Sequence, residues 1–93
     1  MIKDFRCKET KKIFDGTVSR KFPKTIQQRA RRKLRMLNNA RALDDLRIPP
    51  SNHLEKLIGD RIGQHSIKIN DQWRIGFVWQ EGIVMDVEIV DYH

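Results

Sequence analysis

Apolar residues recur along this chain with two different periods. From Thr25 onward, Ile26, Ala30, Leu34 and Leu37 fall three or four positions apart, the spacing that lines one face of an α-helix. After Asn52 the period drops to two. Leu54 to Ile58, His65 to Ile69, Trp73 to Trp79 and Ile83 to Val90 read as four strands, because alternation places successive side chains on opposite faces of a sheet. Asn70-Asp71 and Glu81-Gly82 between them have hairpin chemistry, which makes these strands antiparallel neighbours.

Local signals divide the first half. Thr25-Ile26-Gln27-Gln28 fits a capping box, in which the threonine hydroxyl and the Gln28 amide satisfy orphan backbone donors. Cys7 to Phe14 predicts a helix of about two turns closed by Gly16. Ile2 to Phe5 reads as a short first strand, and Thr17 to Lys24 as a mobile basic connection. A shorter helical piece spans Ala40 to Leu46, and Pro49-Pro50-Ser51-Asn52 ends the helical half by removing donors and fixing φ. The fold class expected is α+β, with N-terminal helices packed on a small curved antiparallel β-sheet. At 93 residues this leaves room for a single domain, 1–93.

Strand parity separates core from surface. Trp73, Ile75, Phe77 and Trp79 form one strongly apolar face, which packs against the helices. The opposite face carries Arg74, Gly76 and Val78, and Ser66, Lys68 and Asn70 share its parity on the neighbouring strand. Arg74 and Lys68 thus project from one open sheet surface, with Gly76 leaving space beside them, a place able to hold a phosphate. Two solvated charges on an exposed face fit the same pattern.

Composition narrows the partner. Hydrophobic residues at 39% and charged residues at 33% suit a folded chain. Nineteen Lys and Arg against twelve Asp and Glu give a formal charge of +7, which favours a polyanionic partner such as RNA or DNA. Solubility or an acidic protein partner would use the same excess. Arg29, Arg31, Arg32, Lys33 and Arg35 cluster on the Thr25 helix, either as its solvated face or as contacts to RNA phosphates. Cys7 is the sole cysteine, which excludes an intrachain disulfide and a Cys-based zinc site and fits a reducing cytosol. No stretch approaches the roughly 18 apolar residues of a membrane span, and Met1 to Phe5 lacks a signal-peptide h-region. The expected location is cytoplasmic, without membrane. Asp44 and Asp45 read as helical surface, and no His, Cys or Asp spacing supports a metal site.

The last strand delivers Asp91-Tyr92-His93, groups that accept, donate and relay protons. These three residues, Gly59-Asp60-Arg61 before a strand, and Asn70-Asp71-Gln72-Trp73-Arg74-Ile75, set behind N-terminal helices, resemble the HigB-type toxins of bacterial type II toxin–antitoxin modules, within the RelE-like superfamily. The resemblance covers essentially the whole chain. It implies an endonuclease that enters the ribosomal A site and cuts mRNA there without metal or other cofactor, inhibiting translation. It also implies a cognate HigA-type helix-turn-helix antitoxin, through which alone operator DNA would be reached.

Residue by residue, the resemblance makes Arg74 the phosphate-stabilising arginine and Asp91, Tyr92 and His93 the terminal proton-handling and positioning group. Among these His93 is best placed to titrate near neutrality, since free imidazole has a pKa of about 6.5. Glu55 stands where relatives carry a histidine, which leaves the general base open between Glu55 and a terminal residue. His53 and Lys56 flank it, and Lys56, Lys68, Arg61 and His65 are the expected RNA contacts. Two other classes stay open from the residues themselves: a noncatalytic ribosome- or RNA-binding inhibitor, and a corepressor-type interaction protein.

Overall fold

The computed structural model describes residues 1–57 and 63–91. Two helices, α1 (Lys8–Phe14) and α2 (Lys24–Asn39), precede two 3-10 turns (Leu43–Arg47 and Pro50–Asn52). Strands β1 (Glu55–Lys56), β2 (Gln64–Lys68), β3 (Trp73–Gln80) and β4 (Ile83–Asp91) follow. They form one sheet in the order β1-β2-β3-β4, each pair antiparallel. The α+β arrangement anticipated from the two periods is the one observed.

Helix α2 buries Ile26, Ala30, Leu34 and Leu37, the four positions that its spacing selects. Its start differs from the capping-box expectation. The helix begins at Lys24 with Pro23 as N-cap and no side-chain cap, so Thr25 already lies inside the first turn. The Pro23 carbonyl accepts the first bond, from the Ile26 N–H at 3.2 Å.

The neighbouring glutamine, Gln27, does other work. Its Oε1 accepts from the Ser19 N–H at 3.0 Å, and its Nε2 donates to the carbonyls of Ser19 and Phe22 at 2.7 and 2.8 Å. The buried Ser19 hydroxyl donates to Glu9 at 2.7 Å, and Phe22 meets Trp73 edge-on at 5.6 Å between centroids. The Thr17 to Lys24 connection is therefore tied to both helices and the sheet, contrary to its expected mobility.

The core lies between the helices and one sheet face. Leu34 and Leu37 from α2 join Ile67, Ile75, Phe77, Val84 and Val87 in it; each such side chain taken from water contributes roughly 1.5–3 kcal/mol. One feature of β4 breaks simple alternation. Gly76 pairs with Glu88 while Val78 pairs with Met85, so Asp86 and Val87 together oppose Phe77, a β-bulge with Asp86 at φ 53°. The extra residue reverses parity, and Val84 and Val87, three apart, both reach zero exposure.

The outer edge of β4 is covered. Ile2 and Phe5 make isolated parallel bridges to Val84 and Val87 in place of the short strand expected there. The Ile89 N–H donates to the buried Thr10 hydroxyl at 3.0 Å. Such cover removes a free template for pairing with another chain. Both hairpin connections follow their residue chemistry. Glu81 and Gly82 adopt φ 50° and 81°, as a two-residue type I′ turn requires. Asn70 Oδ1 accepts the N–H groups of Gln72 and Trp73 at 2.9 and 2.8 Å.

Candidate functional site

The β2–β3 register pairs Lys68 with Arg74 and Ser66 with Gly76, which puts these residues on the sheet face away from the helices. The face is not open at Arg74. Only 4% of this residue is exposed, because the chain leaving the Pro50–Asn52 turn crosses over it. His53 there adopts a left-handed conformation, φ 43° and ψ 58°, and its carbonyl accepts from Arg74 Nη2. Arg74 Nε donates to Ser66 Oγ at 2.8 Å and Nη2 to the Ser66 carbonyl at 3.2 Å. Nη1 lies 3.9 Å from Glu55 Oε1. The expectation of a cation lying free on a sheet surface thus gives way to a buried one in a cradle of oxygens, as desolvated charge requires.

A cleft of about 220 Å³ opens beside this cradle, lined by His53, Glu55, Lys68, Asn70, Asp71 and Arg74. Lys68 Nζ is 2.9 Å from Asp71 Oδ1, and this ammonium holds the Asp71 carboxyl below its ordinary range. Arg74 and Lys68, paired from strand parity, and Glu55, named apart from them, therefore share one cavity. Asp91 ends β4 opposite Trp73 and accepts from Gln72 Nε2 at 3.1 Å. It lines a second hollow, about 440 Å³, with Ser66, Gly76 and Glu88. A Cβ on Gly76 would meet only Glu88 atoms, at 3.9 Å, so the space anticipated there exists. Ser66 joins the two hollows, since it lines the second and holds the arginine of the first.

Other expected residues lie elsewhere. Lys56 pairs with His65, and His65 with Phe77; the imidazole stacks on the Phe77 ring with centroids 6.0 Å apart. Both therefore belong to the opposite sheet face from Glu55 and Arg74. Arg61, Tyr92 and His93 lie outside the described residues. Ser66 and the His53 carbonyl are partners of Arg74 that residue typing missed. Parity placed Ser66 on the correct face, but no side-chain pattern reports a backbone carbonyl. Asp45, read as surface, caps the first 3-10 turn by accepting from the Arg41 and Ala42 N–H groups. Among the described residues, no group of three His, Cys, Asp or Glu is placed to hold a metal ion, and no helix is long and apolar enough to cross a membrane.

Two N-terminal helices on a four-stranded antiparallel sheet, with an arginine gripped on the far face, define a RelE-like α+β protein. Residues 3–93 match the family described as RelE-like toxin of type II toxin-antitoxin system HigB, and the chain belongs to that family. It is 37% identical over 87 residues to Toxin HigB-1 of Vibrio cholerae serotype O1, covering 92% of each chain. It is 31% identical over 93 residues to Endoribonuclease HigB of Proteus vulgaris, covering both in full. Membership implies a cognate antitoxin.

Proposed function

We propose that this toxin is a ribosome-dependent endoribonuclease that cuts mRNA in the A site and so arrests translation. The observation that carries the reading is the Arg74 cradle: a guanidinium fixed by Ser66 and His53, 3.9 Å from a carboxylate, in a cleft that also holds Lys68. RNA cleavage by the neighbouring 2′-hydroxyl needs a base for that proton, a cation for the charge growing on phosphorus, and an acid for the leaving 5′-oxygen. The 2′-oxygen forms the new P–O bond as the P–O5′ bond breaks, leaving a 2′,3′-cyclic phosphate and a 5′-hydroxyl.

In this scheme Arg74 stabilises the phosphorane oxygens, with Lys68 as the second cation. Glu55, or one of Asp91, Tyr92 and His93, takes the 2′-proton, and a terminal residue supplies the leaving group's proton. Arg61 contacts RNA, and Lys56 and His65, on the sheet face opposite Arg74, serve RNA outside the cleft. The endoribonuclease name of the Proteus vulgaris relative supports the reaction class. The partner is a HigA-type helix-turn-helix antitoxin, operator DNA is reached through it alone, and the ribosomal target places the toxin in the cytoplasm.

The test is mapped cleavage of a defined mRNA by purified toxin, with and without programmed bacterial ribosomes. Arg74→Ala, Arg74→Lys and Glu55→Gln variants, each shown to be folded by circular dichroism, are run beside it. Cuts only on ribosomes, lost in both arginine variants, are the expected result. Ribosome binding and translation arrest without cuts would replace cleavage by inhibition through occupancy.

A further inference from the structure

Beside the cleft runs a larger groove, about 620 Å³, within the roughly 300–1,000 Å³ range of ligand sites. One wall is a stripe of α2, Arg29, Arg32 and Lys33; the other is the β2–β3 turn with Lys68 and Asp71, and His53 lies at the junction. The spacing of 29, 32 and 33 is three and four, so one helical face presents all three cations. Asp71 is the single carboxylate lining the groove among the described residues, and it is already paired with Lys68.

Two of these three cations are built in. Arg29 Nη1 donates to the Ile69 carbonyl at 3.3 Å, which draws its guanidinium to the turn. Lys33 Nζ donates to Oδ1 of Asn52, a residue with zero exposure whose Nδ2 is anchored on the Leu46 carbonyl at 3.0 Å. Burial, and then the charges of Arg29 and Arg32, push the Lys33 ammonium below its ordinary pKa. Like charges held together at a partly desolvated wall are relieved by an anion and by little else.

We infer that this groove is a phosphate tract, carrying the RNA strand onward from the cleft with Arg29, Arg32 and Lys33 on successive phosphates. The inference rests on the proposed cleavage of RNA at Arg74, and continuity is what selects RNA over an acidic protein segment. His53, Lys68, Asn70 and Asp71 line both the groove and the cleft, so a strand with its reacting phosphate at Arg74 passes directly into the groove. Backbone contacts of this kind position a strand without reading its bases. The tract would thus set how many nucleotides the toxin grips.

Binding is read apart from cleavage with 2′-O-methyl oligonucleotides, which lack the attacking hydroxyl. Anisotropy titrations compare a trinucleotide with a hexanucleotide on the wild type, on Arg29→Gln/Arg32→Gln, and on Arg41→Gln/Arg47→Gln, which removes the same charge at two exposed arginines off the groove. The wild type and the off-groove control should bind the hexanucleotide at least about tenfold more tightly at low salt. The groove variant should lose that advantage, with a slope of log K against log salt smaller by about 1.4, two single-strand phosphate contacts.

A groove variant that keeps the length effect and slope overturns the tract, as does a wild type that binds neither oligonucleotide. Loss of binding to hexaglutamate with an intact RNA length effect would make the groove a protein-docking site instead. Absence of mRNA cleavage with the length effect intact would sink the proposed reaction and leave the tract standing.

Discussion

Arg74 donates from Nε to the Ser66 hydroxyl at 2.8 Å, between adjacent strands of the same sheet. This bond, with the His53 and Ser66 carbonyls on Nη2, fixes the plane of a guanidinium that charge alone would leave free to rotate. Preorganised cations stabilise developing charge without reorganising during the reaction. The cradle also explains how an arginine 4% exposed is tolerated.

Ser66→Ala removes the acceptor of a buried, charged donor and should cost about 2 kcal/mol in urea unfolding. Ser66→Thr keeps the hydroxyl and should recover most of it. If Ser66→Ala unfolds at the wild-type midpoint, the two carbonyls hold Arg74 without help from the side chain.

Asn52 is the second buried polar hub. Its Nδ2 donates to the Leu46 carbonyl at 3.0 Å and touches Met36 sulfur at 3.1 Å, while Oδ1 accepts from Lys33. Asn52→Leu leaves the carbonyl and the ammonium unsatisfied and loosens the turn that carries His53. A loss of about 2 kcal/mol is expected, a fall in melting temperature on the order of 10 °C. Calorimetry showing an unchanged transition would contradict the hub assignment.

Gln27 ties three backbone groups of the Thr17 to Lys24 segment. Gln27→Leu frees them while leaving the α2 core face untouched. Limited trypsin digestion should then cut at Arg20, Lys21 or Lys24 on the order of tenfold faster, since proteolysis follows local opening. Equal rates in the two proteins would mean that Ser19 and Phe22 suffice to hold the segment.

What was legible in the sequence was what repeats. The α2 stripe and the alternation of β2 and β3 follow from periods, and parity brought Arg74, Lys68 and Ser66 to one face. Three things carried no repeating signal. Gln27 resembles any polar helix residue, yet it replaces a cap with a brace. The Asp86 bulge is hidden because inserting one residue leaves local composition unchanged. The His53 carbonyl depends on a backbone angle, which no side-chain pattern encodes. The shared face of Arg74, Lys68 and Ser66 was legible because parity sets it, and the burial of Arg74 was not, because its cover comes from an irregular segment.

Acid should weaken the fold through three carboxylates. The Ser19 hydroxyl and then Lys12 hold Glu9 below its ordinary value of 4.5. The Ala42 and Arg41 N–H groups hold Asp45 below 3.8, and Lys68 does the same for Asp71. Groups with a depressed folded pKa contribute stability that is present above the unfolded value and lost as pH falls through the folded one. Melting temperature should therefore hold down to about pH 5 and decline below about 4.5. Ser19→Ala should make that decline shallower; an identical pH profile would remove Glu9 from the account.

Asp86 tests how β4 achieves its parity. Its left-handed φ of 53° is tolerated by aspartate, suits glycine, and is costly for a β-branched residue. Asp86→Gly should therefore unfold within about 0.5 kcal/mol of the wild type, relief of the backbone offsetting the greater freedom of the unfolded chain. Asp86→Val should lose about 2 kcal/mol. Deleting Asp86 is the sharper case. Without the extra residue, Val84 and Val87 fall two apart in sequence, and a regular ladder keeps both in the core, with Val87 opposite Phe77 and the Glu81-Gly82 hairpin in register. What is lost is the match to the N-terminal segment, since Ile2 and Phe5, three apart, bridge Val84 and Val87 only while these are three apart as well, and the Asp86 N–H bond to Asp4 Oδ1 at 2.7 Å goes with it. The deletion should be less stable than Asp86→Gly by chemical denaturation; stability equal to that of Asp86→Gly would show that the bulge is incidental to the docking of Ile2 and Phe5 on β4.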